Sequence, residues 1–215
     1  MELFVKMAIS QPFYYFSWVF IVVFSICVHE YAHAATALQL GDDTAARSGH
    51  LSLNPLVQMG RNSLIALLLL GIAWGAVPIN PYALSSRQRA AVSFAGPLAN
   101  LMLCAAFAVL AWVAMRLPSA VESRAYIFWF FQLGSTANAM LFLFNMLPIP
   151  LLDGWSVLAG YFPRMNNIDA TTAANVSFLI MGVFFMSPVG GILWLGASQL
   201  SGLFVGTMLR LGGIG

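Results

Sequence analysis

Residues 18–40 read WVFIVVFSICVHEYAHAATALQL. The run is apolar, and at 1.5 Å per helical residue it is long enough to cross a hydrocarbon core of about 30 Å. Its middle carries His29, Glu30 and His33. Ionisable side chains inside a membrane segment are rare and costly, and by default they mark a functional site. On a helix, positions i and i+4 stack on one face. His29 and His33 can therefore point at one object, with Glu30 beside them.

Composition fixes the setting. The chain is 60% hydrophobic and 7% charged, whereas a soluble domain carries about 25% charged residues. No aqueous surface can be built from so few charges, so the chain reads as an integral membrane protein whose surroundings are the lipid bilayer. A net charge of +2 is too small to suggest nucleic acid, and none is expected as a partner. Cys27 and Cys104 both lie in apolar runs and read as small core hydrophobes, not as a disulfide. The first apolar run exceeds the h-region of a signal peptide and carries polar machinery, so it is expected to stay in the protein. One domain over 1–215 is expected, with a catalytic core over about 13–162 and a helical hairpin over about 170–211.

Residues 13–40 form the first expected span, ended by Gly41-Asp42-Asp43. In 45–55 (AARSGHLSLNP) Leu51 and Leu53 alternate with polar residues, a weak strand signal closed by Asn-Pro. Residues 64–77 are apolar but short, and Pro78 and Pro81 follow. That length suits a re-entrant element better than a crossing. Residues 90–117 and 125–147 are spans, the second running into Pro148-Ile149-Pro150, where helix propagation fails. Asp153-Gly154 and a short amphipathic stretch to Tyr161 follow. Residues 173–187 and 192–211 read as a hairpin, with one kinked helix as the competing reading. The expected fold is an all-α polytopic membrane protein. It has about five to six transmembrane helices and a small re-entrant or β element between the first and second spans.

His29-Glu30-Tyr31-Ala32-His33 is H-E-x-x-H, the pattern in which two histidines hold zinc and the glutamate serves as general base of a metalloprotease. Three polar side chains bonded to neighbouring helices would explain neither the spacing nor the clustering. A catalytic zinc takes three protein ligands and keeps one position open. Asp42 and Asp43 suit a solvated helix end, Asp169 an exposed linker, Glu122 a loop and His50 a loop; Cys27 faces elsewhere on its helix. Asp153 differs, because it follows a double-proline break between apolar neighbours (NMLPIPLLDG). Unwound backbone at that depth is tolerated only against protein or a water-filled cavity. As an N-cap of the following helix it could serve both roles.

HEYAH at 29–33, AGPLAN at 95–100 and NMLPIPLLDG at 145–154 together resemble the site-2 proteases, intramembrane zinc metalloproteases. GHLSLNP at 49–55 and VPIN at 77–80 resemble the short branch of that family that lacks PDZ domains. The likeness covers roughly 20–160. It implies one zinc per chain held by His29, His33 and Asp153, with Glu30 as general base and Asn145 helping to stabilise the cleaved carbonyl. An interhelical hydrogen bond is the plainer role for Asn145. The chain departs from that branch at 57–62, reading VQMGRN where relatives show a His-Ile-Asp-Pro-like segment.

His29 lies towards the end of the first span and Asp153 beyond the end of the 125–147 span. They meet at one depth only if those helices run parallel, which needs an odd number of crossings between them. The 90–117 helix supplies one, so 64–77 should enter and return. Arg47, Arg61, Arg87, Arg89, Arg164 and Arg210 then fall on the site's side, and Lys6, Arg116 and Arg124 on the other. That bias makes the site's end cytoplasmic in a cell membrane. The expected partner is a membrane protein with a transmembrane helix, unwound locally for cleavage. It would be held by strand addition at Leu51, Ser52 and Leu53. Gly96, Pro97 and Ala99 read as tight helix packing. The alternative function is an intramembrane metal-binding protein or metal-ion transporter. It is disfavoured by the single compact cluster and the lack of a visible repeat.

Overall fold

A computed structural model describes residues 3–118, 123–162, 164–165, 168–169, 171–173, 175–177, 179–180 and 188–211. Among them the chain is helical, with no strand. Four helices are long and apolar enough to cross a membrane. The expected hairpin over 173–211 falls partly on residues 174, 178 and 181–187, outside the described residues.

The first long helix, α1, spans Pro12–Gln39 after short turns of helix at Phe4–Lys6 and Met7–Ser10, with its proline at the first turn, where no amide donor is needed. It stops where Gly41 takes a left-handed φ of 104° and the Asp42 amide bonds back to Ala37. Helix α2 covers only Gly60–Leu70 and ends at Gly71, again left-handed. The chain then runs extended over 72–80. Tyr15 and Trp18, near the start of α1, donate to the carbonyls of Leu68 and Gly71 at the tip of this excursion. Gly75 lies on Glu30, and the Asn80 amide bonds to Asp42 beyond the end of α1. The segment thus travels most of the length of α1 and comes back. Val22, Ile26 and Cys27 of α1 pack with Met59 and Leu67 beneath it, so Cys27 is a core residue.

Helix α3, Ser86–Arg116, opens on a capping box between Ser85 and Gln88. Helix α4, Arg124–Asn145, runs into the proline pair. Phe13 meets Tyr126, Phe20 meets Phe130 and Ser25 meets Asn138. These pairs advance together, so α1 and α4 are parallel and α3 returns between them. The interfaces are lined by Ala34, Ala37, Ala108, Ala111, Ala137 and Ala139, all buried. In lipid, where apolar burial gives little drive, small residues let backbones close to van der Waals contact. Helix α5, Asp153–Ala159, packs on α3. Helix α6, Val189–Leu211, packs on α3 and α4, where Ala197 meets Cys104 and Ala139.

The weak strand expected at 45–55 does not form. A turn of helix takes Thr44–Arg47 and another Pro55–Gln58. The buried Gln58 amide donates to the carbonyls of His50 and Ser52, and its oxygen accepts from His50 Nδ1. One side chain satisfies the backbone that a partner strand would have used. His50 is accordingly a loop histidine. Asp42 also departs from the solvated helix end expected of it. It is buried, with Oδ1 accepting from the Thr44 amide at 3.0 Å and Oδ2 from the Asn80 amide at 2.7 Å. Burial pushes its carboxyl up, but the hydrogen bonds from Thr44 and Asn80 more than offset this and hold it below the ordinary carboxylate range. Asp43, half-buried, pairs with exposed Arg47.

Candidate metal centre

Three elements bring the site together. Helix α1 presents His29, Glu30 and His33, all buried. Beyond the break at the end of α4, Asp153 enters as the first residue of α5. Gly154 makes that approach possible, since a Cβ there would lie 2.7 Å from the Leu147 carbonyl oxygen. The preceding loop is strained. Leu151 has φ of 71°, which is uncommon for a branched side chain and costs roughly 1–2 kcal/mol. Ser177 donates to the Pro150 carbonyl and tethers the loop.

The donors converge. His29 Nε2 lies 3.0 Å from His33 Nε2 and 3.1 Å from Asp153 Oδ2, and His33 Nε2 lies 3.3 Å from Asp153 Oδ1. Three donors about 2.0–2.1 Å from a tetrahedral zinc would stand roughly 3.3 Å apart. His33 Nδ1 is 2.7 Å from the Val92 carbonyl oxygen. A carbonyl only accepts, so Nδ1 carries the proton and Nε2 offers a lone pair inward.

A second feature fits a cation. A Cβ at Gly96 would strike His33 Nε2 and lie 2.6 Å from His29 Nε2. The glycine leaves a cradle in front of both nitrogens that even a methyl group would fill. The tight-packing reading of Gly96 is therefore too modest, because it fronts the metal position. Two imidazoles, one carboxylate and an open space are the donor set of a catalytic zinc, so the residues present fit the ion.

Glu30 lies against the extended 72–80 segment, where a Cβ at Gly75 would stand 2.6 Å from its carboxyl carbon. Asn145 donates to the Leu141 carbonyl at 3.0 Å within its own helix, and among the described residues it has no bond to another helix. Leu51, Ser52 and Leu53 lie in the Gln58-closed loop, with Leu51 and Leu53 exposed. Sequence reasoning gave no role to Asn100, Asn138, Ser25 and Gly75. Three of them are polar residues within apolar spans, which is itself a signal of a buried partner; Gly75 carried no such mark.

The comparisons agree with this geometry. Residues 17–126 match the model of peptidase family M50. The chain is 32% identical over 179 residues to a Bacillus subtilis protein named "Putative zinc metalloprotease YwhC", spanning 80% of this chain and 82% of that one. Two proteins named "Putative zinc metalloprotease Rip2" are also similar. The one from Mycolicibacterium smegmatis is 36% identical over 76% of this chain and 64% of its own length. The one from Mycobacterium tuberculosis is 31% identical over 86% and 76%. No solved structure matches significantly.

Proposed function

The chain belongs to peptidase family M50, and from that premise we propose that it is a zinc-dependent intramembrane endopeptidase. It hydrolyses peptide bonds in or near transmembrane segments of other membrane proteins. The observation that carries this reading is the triangle of His29 Nε2, His33 Nε2 and Asp153, with donor separations of 3.0–3.3 Å.

One zinc per chain would be held by those three residues. When bound, zinc supplies Lewis acidity and lowers the pKa of water towards neutrality. Glu30 takes the proton of the attacking water and hands it to the leaving amine. Asn145 keeps one amide hydrogen beyond its bond to Leu141, and offers it to the oxyanion. Gly75 limits the space over Glu30 and so sets where water and substrate meet it.

A helical substrate must unwind, and an extended one needs an edge. Residues 72–80 supply it in place of Leu51, Ser52 and Leu53. Side-chain exposure alternates along this stretch. Trp74 exchanges both backbone bonds with the Ser63 hydroxyl, and the Ala76 amide donates to Gln58. Among the described residues the backbone groups of Ala73, Gly75 and Val77 have no partner. They form a free edge beside the general base, suited to strand addition. We take 60–80 as the re-entrant element. A cavity of about 320 Å³ between 79–81, α3 and α5, lined by Ser86, Arg89, Ser93 and Ser156, also borders Val92, whose carbonyl meets His33, and is the route we assign to water. Arg47, Arg61, Arg87 and Arg89 at this end, against Lys6, Arg116 and Arg124 at the other, make it cytoplasmic in a cell membrane.

The test is Glu30→Gln. Purified wild type should cut a membrane-spanning peptide, and the variant should cut about 10²–10⁴-fold more slowly while keeping its zinc. A variant that cuts at the wild-type rate would sink the reading. So would a wild type that moves zinc across liposomes without cutting.

A further inference from the structure

His33 has its tautomer fixed by a backbone carbonyl, but His29 does not. Its Nδ1 lies 2.6 Å from Asn100 Oδ1, a side-chain amide that could in principle turn either end towards the ring. Were Asn100 to present its NH₂ group, His29 would have to accept at Nδ1 and carry its proton on Nε2. The lone pair the metal needs would then be gone.

The packing removes that freedom. Asn138 Nδ2 donates to the Gly134 carbonyl and to Ser25 Oγ, both at 2.9 Å. The Gly134 oxygen can only accept, so the Asn138 amide is fixed with Oδ1 facing α3. Asn100 Nδ2 lies 3.0 Å from that Oδ1 and 3.5 Å from the Ser25 carbonyl, both acceptors. The Asn100 oxygen is thereby turned to His29, and the His29 proton sits on Nδ1. Asn100 and Asn138 are fully buried, and a buried amide with all its partners satisfied is costly to turn.

We infer that Asn100 and Asn138 are positioning residues that fix the tautomer of His29 and so direct its Nε2 lone pair into the triangle with His33 and Asp153. The relay joins α4 to α3 to α1, and it couples packing of the bundle to the readiness of one ligand. This rests on the zinc reading above. Partners that orient a metal-binding histidine typically change metal affinity 10–100-fold.

The test is zinc affinity in detergent by chelator competition, with folding followed separately by the melting temperature of the metal-free protein. Asn100→Leu, of similar size, should weaken zinc by about 10–100-fold. Asn100→Asp keeps an acceptor towards His29 and should retain most of the affinity. Asn138→Leu, which does not touch the imidazole, should weaken binding because the Asn100 amide loses its lock. Equal affinity in wild type and a folded Asn100→Leu would overturn the inference, as would Asn100→Asp binding no better than Asn100→Leu. If Asn100→Leu does not fold, Asn138→Leu with unchanged affinity overturns it equally. A wild type that binds no zinc would instead break the metal reading itself.

Discussion

The floor of the site and the segment that covers it are built in opposite ways. Below the donors, His29 and His33 are each held at their outer nitrogen by a buried partner, and the Asn100–Asn138 pair is held in turn by Ser25 and Gly134. Each group there has its orientation set by another that has no choice. Above the site, among the described residues and apart from a local turn in which Asn80 accepts from Tyr82 and Ala83, 72–80 hangs on few bonds: one hydroxyl from Ser63, one carbonyl from Gln58 and one carboxylate from Asp42. Metal ligands must be pre-organised, because misplacement costs affinity directly. On the reading proposed above, 72–80 receives an extended peptide; a segment with that task must keep an edge unpaired, and so cannot be tied down as firmly.

The sharpest way to break this contrast is Gly96→Ala. The methyl group fills the space in front of both Nε2 atoms. We expect zinc content to fall to near zero, with the bundle still folded, as read by metal analysis and melting temperature. Full zinc occupancy in that variant would show the floor to be pliant. Next is Ser63→Ala, which removes both bonds to Trp74 from a buried hydroxyl. Leaving those backbone groups unpaired costs about 1–3 kcal/mol. Hydrogen exchange at 72–77 should quicken and cleavage should slow, with zinc content unchanged. A parallel loss of zinc would mean that the two regions are not separable.

The smallest effect concerns Asp42. Its carboxyl titrates below the ordinary range in the folded protein. Its contribution is therefore fully present above the unfolded value of about 3.9 and fades as the pH falls through the lower, folded value. Protection of the Asn80 amide against exchange should hold steady above about pH 4 and decline below. Asp42→Asn, which accepts through one oxygen only, should weaken that protection and flatten its pH dependence. An unchanged profile would remove Asp42 from the hold on this segment.

Much of the site was legible before any fold was known. H-E-x-x-H declares its own geometry, because i and i+4 share a helix face. The double proline before Asp153 announces unwound backbone where lipid forbids it. The parallel sense of α1 and α4 followed from requiring those two places to meet. The strand at 45–55 failed because alternation of side chains does not reveal which backbone groups are already taken. The Gln58 amide takes the carbonyls of His50 and Ser52, and among the described residues the backbone groups without a partner lie instead at Ala73, Gly75 and Val77, in a run whose periodicity is hidden by uniformly apolar residues.

By itself, then, the sequence singled out His29, Glu30, His33 and Asp153 and the helices that carry them, since local spacing and the intolerance of lipid for broken backbone are enough for that. Only the tertiary structure decided how those donors are aimed. Asn100 and Asn138 lie on different helices, and the direction of an amide depends on partners that sequence distance does not bring together. It also decided that Gly96 must be bare, because the space it leaves belongs to α1 and α3 jointly.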